Sequence, residues 1–194
     1  MDVKEAINKR RAYRSLVPVE ITSDLIKDLA ESARLSPSCF NNQPWRFIFV
    51  RDSGVLAFMH EALSSGNKWA FDASMVIVVF SRKEDDCMIK GRIYHQFDCG
   101  LAAGFLILRA TELGYVAHPI AGYSPKKTRA ILGIPDEFDV ITLIIFGKHS
   151  DSISAVLSDK QKASEKRRPR RKGIDKIAYI DKYGQNFNPE SSVK

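Results

Sequence analysis

Four cations fall within six residues near the start of the chain: Lys9, Arg10, Arg11 and Arg14, with Ala12 and Tyr13 between them. A guanidinium presents its donors as a planar fork that matches phosphate, and each charge-assisted bond contributes roughly 1.5–3 kcal/mol. On a helix, Arg10 and Arg14 share a face while Arg11 points elsewhere, so this pair is expected to converge on one anion, with a phosphate monoester the natural partner. The plain alternative is a solvated basic helix end favoured by the macrodipole. The second chemically loaded stretch reads Ser-Pro-Ser-Cys-Phe-Asn-Asn-Gln-Pro-Trp-Arg-Phe over residues 36–47. Pro37 and Pro44 fix φ and bias the residue before each to an extended conformation. Ser38, Asn41, Asn42 and Gln43 therefore offer donors and acceptors on a stiff frame, which suits a planar, heteroatom-rich ligand edge. An ordinary helix-to-strand connection anchored by Trp45 is the plain alternative.

These stretches need elements to hold them. Residues 3–13 read as a helix. Thr22 or Ser23 can cap a second one, in which Leu25, Ile26, Leu29 and Ala33 form an apolar face until Pro37 stops it. Residues 47–50 read as a short strand and 55–63 as a helix. Residues 75–80, Met-Val-Ile-Val-Val-Phe, are too uniformly apolar and β-branched for an edge strand and are expected to be central. The longest helix is predicted over 94–113, with Gly100, Ala102, Ala103 and Gly104 small enough for another helix to approach and Gly114 as its stop. Ser124-Pro125 opens a short helix to Leu132, and residues 140–147 give a second buried strand. Alternating strands and helices by themselves suggest a parallel α/β sheet.

At 194 residues and 44% hydrophobic content, the chain is long enough for one substantial core. Residues 1–150 are expected to form that core, and 151–194 a basic C-terminal extension completing the same single domain. The net charge of +7 is uneven, since nine of the residues from 160 to 176 are Lys or Arg. A nucleic-acid footprint would look like this, but zinc spacing, an aromatic RNA-binding pattern and a helix-turn-helix are all missing, so a solvated tail is the preferred reading. Three cysteines, Cys39, Cys87 and Cys99, are an odd number without a C-x-x-C pair, which predicts free thiols in a reducing compartment. The charged N-terminus has no apolar signal core and no apolar run approaches a membrane span, so a cytoplasmic protein without a membrane segment is expected. His60, His95, His118 and His149 are too scattered to predict a metal site.

The chain resembles the FMN-dependent nitroreductase family. The resemblance is carried by the RR-x-x-R opening, the S-P-S-x-x-N-x-Q-P-W-x-F loop, Gly66-Asn67-Lys68-Trp69, the segment from Gly114 through His118-Pro119-Ile120-Ala121-Gly122-Tyr123, and the late Lys166-Arg167-Arg168-Pro169. It implies an α+β, three-layer fold: a mixed central sheet flanked by helices, with the C-terminal extension wrapping onto the partner of a homodimer. FMN would lie at the subunit interface. Arg10, Arg11, Ala12 and Arg14, joined by Lys166 and Arg168, would meet its phosphate, ribityl chain and pyrimidine edge, and Pro37, Ser38, Cys39 and Asn41 would close the ring from the other subunit. Asn67 would lie near the isoalloxazine, and Pro119, Ile120, Ala121 and Gly122 would pass it with backbone amides directed at N5 and O4. A cation such as Arg14 would stabilise the negative charge that reduction places on the N1–C2=O edge.

The implied activity is a two-step exchange in which NADH or NADPH gives hydride to FMN and leaves, and a nitroaromatic, quinone or similar small acceptor is then reduced on the same face. No side chain acts as catalyst, and Cys39 is expected to be a loop residue and not a nucleophile. Trp69, Tyr123 and Phe40 can line the pocket or simply pack. Three positions depart from the family pattern. Ala12 replaces a phosphate-binding serine, Ala121 replaces a glutamate of some relatives, and Trp69 with Lys68 shifts the register of a cationic contact. Alternatives are other flavin chemistry on the same fold, namely dehalogenation or flavin breakdown, and a basic nucleic-acid-binding protein acting through its tail.

Overall fold

The computed structural model describes residues 1–187; the last residues of the expected extension, 188–194, lie outside the described residues. In chain order the elements are α1 (Val3–Lys9), β1 (Leu16–Val17), α2 (Ser23–Arg34), β2 (Arg46–Val50), α3 (Ser53–Met59), β3 (Met75–Ser81), β4 (Met88–Ile89), β5 (Arg92–Ile93), α4 (His95–Glu112), β6 (Val116–Ile120), α5 (Pro125–Leu132), β7 (Asp139–His149) and α6 (Asp159–Lys166).

β3 is buried at every position, as its composition requires, and lies between β2 and β7. β7 also pairs β6 along residues 143–147 and β1 at its last two residues. Each described pairing is antiparallel. The layered α+β fold is thus built on an antiparallel sheet where a mixed one was expected. The parallel α/β arrangement that the element order alone suggests does not form.

Side chains alternate along β3 between two cores. Val76, Val78 and Phe80 face Met59, Trp69 and Ile134, whereas Met75, Ile77 and Val79 face Leu29 and Ala33 of α2 and Cys99, Ala102 and Leu106 of α4. A register shift between Val79 and Phe80 turns β7, so that Val140 and Leu143 share the first core despite their odd spacing. Three layers result.

The helix signals behave as local chemistry dictates. Thr22 accepts the Leu25 amide at 3.1 Å to start α2, and Ser124 accepts the Lys127 amide at 3.3 Å to start α5 with Pro125 at its first position. Gly114 follows α4 at φ 83, a conformation glycine adopts without a steric cost. Ala102 and Ala103 are buried as a close helix approach requires, against α2. α1 is shorter than expected: it ends at Lys9, and Arg10 is already non-helical at φ −53 and ψ 123. No helix among the described residues is long and apolar enough to cross a membrane.

Candidate functional site

Because α1 stops at Lys9, Arg10 and Arg14 do not share a helix face, and what gathers the arginines is tertiary. Arg10, Arg11, Ala12 and Arg14 line a cavity of about 200 Å³ together with Ser164, Arg168, Pro169 and Arg171 from the end of α6 and beyond. Glu165 holds the two segments together. Its buried carboxylate accepts the Arg14 amide at 2.9 Å and the Ser15 amide at 3.1 Å. Arg11 donates to the Ser164 carbonyl at 2.7 Å, and Arg168 to the Arg10 carbonyl at 2.7 Å. Arg11 and Arg168 are therefore partly committed to the backbone, while the Arg10 and Arg14 guanidiniums bind no protein acceptor among the described residues.

Nor does any of these arginines have a carboxylate within ion-pair distance among the described residues. Burial lowers the proton affinity of Arg10 below its ordinary value, and Arg168, Arg171 and Arg11 lower it further. Burial does the same to Arg14, opposed by Glu165. Crowded, half-buried cations without counterions are unfavourable alone, and a multivalent anion would relieve them. Lys166 is exposed and does not reach this cavity wall, so of the expected late pair only Arg168 does. Arg171, Ser164 and Glu165 were not anticipated. The Ser158–Gln161 capping box was the available signal, because it starts the helix that carries Ser164 and Glu165.

Arg14 continues the wall toward a second group. Its guanidinium lies 5.8 Å above the Trp69 ring, which stacks on His118 with centroids 4.8 Å apart. The Trp69 indole donates to Asn67 Oδ1 at 3.1 Å, and Asn67 Nδ2 donates to the Gly122 carbonyl at 2.9 Å. Asn67 and Gly122, the end of the 119–122 segment, are thus brought together. A Cβ on Gly122 would fall 2.5 Å from Asn67 Nδ2 and 2.6 Å from Ser64 Oγ, so a larger residue there requires those side chains to shift. Pro119 and Ala121 are exposed and Ile120 is buried. His118 Nδ1 lies 3.0 Å from the Tyr13 carbonyl, which calls for a proton on that nitrogen, and burial pushes the imidazole pKa down to about 4. Trp69 is 1% exposed and Tyr123 donates to the Val140 carbonyl at 2.9 Å, so both pack; Phe40 is 83% exposed.

The third group, Pro37, Ser38, Cys39 and Asn41, lies elsewhere on the chain. Pro37, Ser38 and Cys39 line a depression with Phe97, Asp98 and Leu101 of α4, away from the arginines of the same chain. Here the expectation of free thiols is overturned: Cys39 and Cys87 form a disulfide, with Cα atoms 6.2 Å apart, inside the span such a bridge allows. An odd cysteine count leaves Cys99 as the unpaired one, on the buried face of α4, with its thiol pushed up to about 11 by burial.

The arginine cavity is continuous through Arg14 with the Trp69, Asn67 and Gly122 group. The chain matches the nitroreductase family over residues 7–66 and 53–148. It is 32% identical to a putative NADH dehydrogenase/NAD(P)H nitroreductase of Archaeoglobus fulgidus, covering 75% of this chain and 84% of that protein. It is 25% identical to an NADH dehydrogenase of Thermus thermophilus, covering 76% and 86%. Among solved structures, an oxidoreductase containing FMN superposes with a TM-score of 0.82 at 27% identity, covering 94% and 93%. A nitroreductase family protein from Clostridium novyi superposes at 0.73 and 25% identity over the full length of both chains.

Proposed function

Since the chain belongs to the nitroreductase family, we propose that this oxidoreductase holds FMN between two subunits, takes hydride from NADH or NADPH, and reduces a nitroaromatic, quinone or similar small acceptor. The observation that carries the reading is the arginine cavity, in which no arginine is ion-paired among the described residues, joined through Arg14 to the Trp69, Asn67 and Gly122 group. Arg10, Arg14 and Arg171 would hold the phosphate, with Arg11, Arg168 and the Ala12 amide shaping its seat. Lys166 would act only by general charge. Asn67 and the 119–122 segment would position the ring. Bound there, FMN would supply the hydride-accepting and electron-delivering chemistry. The half-buried Arg14 would oppose the negative charge that reduction creates, and no side chain need form a covalent bond.

A homodimer is part of the same reading. Pro37, Ser38 and Cys39 line a different cavity from the arginines of their own chain, and with Asn41 they would be presented to the flavin by a second copy. The apolar residues a partner would cover are exposed: Val3, Ile7, Leu35, Phe97 and Phe105, joined by Ile174, Ile177 and Tyr183 in the C-terminal extension. Residues 1–150 would be the cofactor-binding core, with the extension completing the same domain and reaching onto the partner from a cytoplasmic enzyme.

The test is an absorbance spectrum of the purified protein before and after anaerobic addition of NADH and then NADPH. The expected result is a yellow protein bleached by either nucleotide and restored by a quinone or nitroaromatic. A colourless protein that also fails to bind added FMN would overturn the proposal.

A further inference from the structure

The loop of residues 36–45 is held in a conformation that its own residues do not favour. Phe40, Asn41 and Gln43 have φ of 48, 58 and 51, in the left-handed region that side chains other than glycine seldom adopt. Phe40 cannot hold the loop by burial, because its ring is 83% exposed. Trp45 anchors its end in the core and the Asn41 and Asn42 amides donate to the Ser38 and Cys39 carbonyls at 3.0 Å, while the stretch between is held by polar and covalent ties to the rest of the chain. Ser38 Oγ accepts the Gln43 amide at 2.9 Å, and Asp98 Oδ2 accepts the Cys39 amide at 2.7 Å. Asn42 Nδ2 donates to Asp86 Oδ1 at 3.3 Å, and the same oxygen accepts the Cys87 amide at 2.8 Å. The disulfide joins Cys39 to Cys87 across a sequence separation of 48 residues.

Two of these ties are costly. Asp98 is 2% exposed and Asp86 is 8% exposed, and Asp86 Oδ2 has no hydrogen-bond partner. The Asp98 carboxyl is raised above its ordinary value by burial, opposed by the Cys39 amide and reinforced by Asp86. Burying two facing carboxylates is costly even where each accepts a backbone amide, and the covalent bridge joins the two segments that carry those amides.

We propose that Cys39 and Cys87 are a reversible thiol–disulfide site, through which an external dithiol releases the 36–45 loop and an external disulfide locks it again. In the releasing direction a thiolate of the dithiol attacks one bridge sulfur, the S–S bond breaks to a mixed disulfide, and the second thiol of the reductant displaces it. The reductant leaves as a cyclic disulfide, two electrons richer are the cysteines, and the two protons end on Cys39 and Cys87 as thiols. Each thiol then stands within 4.8 Å of the Asp86 carboxylate. Cys39 is partly exposed in the single chain, which gives the reductant an approach where the proposed partner and flavin do not cover it. The consequence for FMN rests on the function proposed above: with the loop released, the partner's half of the ring site is loosened and retention falls.

The test uses the full chain purified in air, with and without dithiothreitol. Alkylation after denaturation should label one thiol, Cys99, before reduction and all three cysteines after it. Amide hydrogen exchange in the 36–45 loop should speed up at least about tenfold on reduction. Treatment with oxidised glutathione should reverse both readouts. Cys87→Ser should exchange fast and be insensitive to dithiothreitol, whereas Cys99→Ser should respond like the parent chain. Three labelled cysteines that persist after oxidised glutathione would overturn the proposal. So would unchanged loop exchange on reduction, or uptake of one zinc ion by a pair that never oxidises, since Cys39, Asp86 and Cys87 bring ligand atoms within 4.8 Å of one another. Thiol counts and loop exchange do not depend on a flavin, so their failure is distinguishable from failure to bind FMN.

Discussion

Arg10 is the residue on which the cofactor reading presses hardest. Half-buried beside Arg168, Arg171 and Arg11, it carries a charge that only an external anion can balance. Arg10→Ala is expected to weaken FMN binding by about ten- to a hundredfold, and Arg171→Ala to act in the same direction, while the exposed Arg170→Ala changes it less than about twofold. Fluorescence titration of the stripped protein measures this, and equal losses for all three would mean that the cavity is not the phosphate seat. His118 supplies a pH signature. Its folded pKa of about 4 lies below the ordinary imidazole value, so between those values the unfolded chain binds more protons. The associated stability is complete above about pH 6.5 and declines as pH falls toward 4, by about 3 kcal/mol in all. Urea unfolding at pH 7 and pH 4.5 should therefore show a smaller acid loss for His118→Gln than for the parent chain. The arginines were legible from residue type, because their chemistry is in the side chain. Glu165 and Arg171 were not, since one carboxylate and one cation in a basic tail acquire meaning only through contacts made about 150 positions away. The Cys39–Cys87 bridge was hidden for the same reason.

At the level of elements, Gly122 marks the closest approach between the strand that ends at Ile120 and the 3-10 segment carrying Asn67. Gly122→Ala would drive a methyl into the Asn67 amide and Ser64 hydroxyl, and it is expected to cost about 1–3 kcal/mol, read as a lowered Tm. A Tm equal to that of the parent chain would show that Asn67 can move aside freely. Central β3, capped α2 and α5 and the long α4 were all readable, because an apolar run, a hydroxyl cap or a stop glycine acts within a few residues. The end of α1 was not. Arg and Ala are good helix formers, and the helix stops where Glu165 takes the Arg14 and Ser15 amides and Arg168 takes the Asn8 and Arg10 carbonyls. Long-range partners outcompete the next helical turn.

For the whole molecule, the exposed ring of Phe105 and that of Phe97 on α4 belong to a face that the proposed dimer would bury. Phe97→Asp combined with Phe105→Asp should give a monomer by sedimentation and lower FMN retention at least about tenfold, since charge is poorly tolerated in an apolar interface. A monomer that keeps its flavin would contradict the two-subunit site. The layered fold was within reach of the residue patterns only with the family resemblance, because element order alone points to a parallel sheet. The hydrogen-bonding direction of β3 against β7 is set by connections that pattern does not encode. One feature also orders events in time. The wall that faces Arg10 and Arg14 is made by Ser164, Arg168 and Arg171, and the tie that shapes it is Glu165, all from the last fifth of the chain. A ribosome-bound chain that has not yet released that stretch can build the sheet but not the anion seat. Under the proposed function, a product truncated before residue 164 would build its central sheet yet lack the wall that faces Arg10 and Arg14.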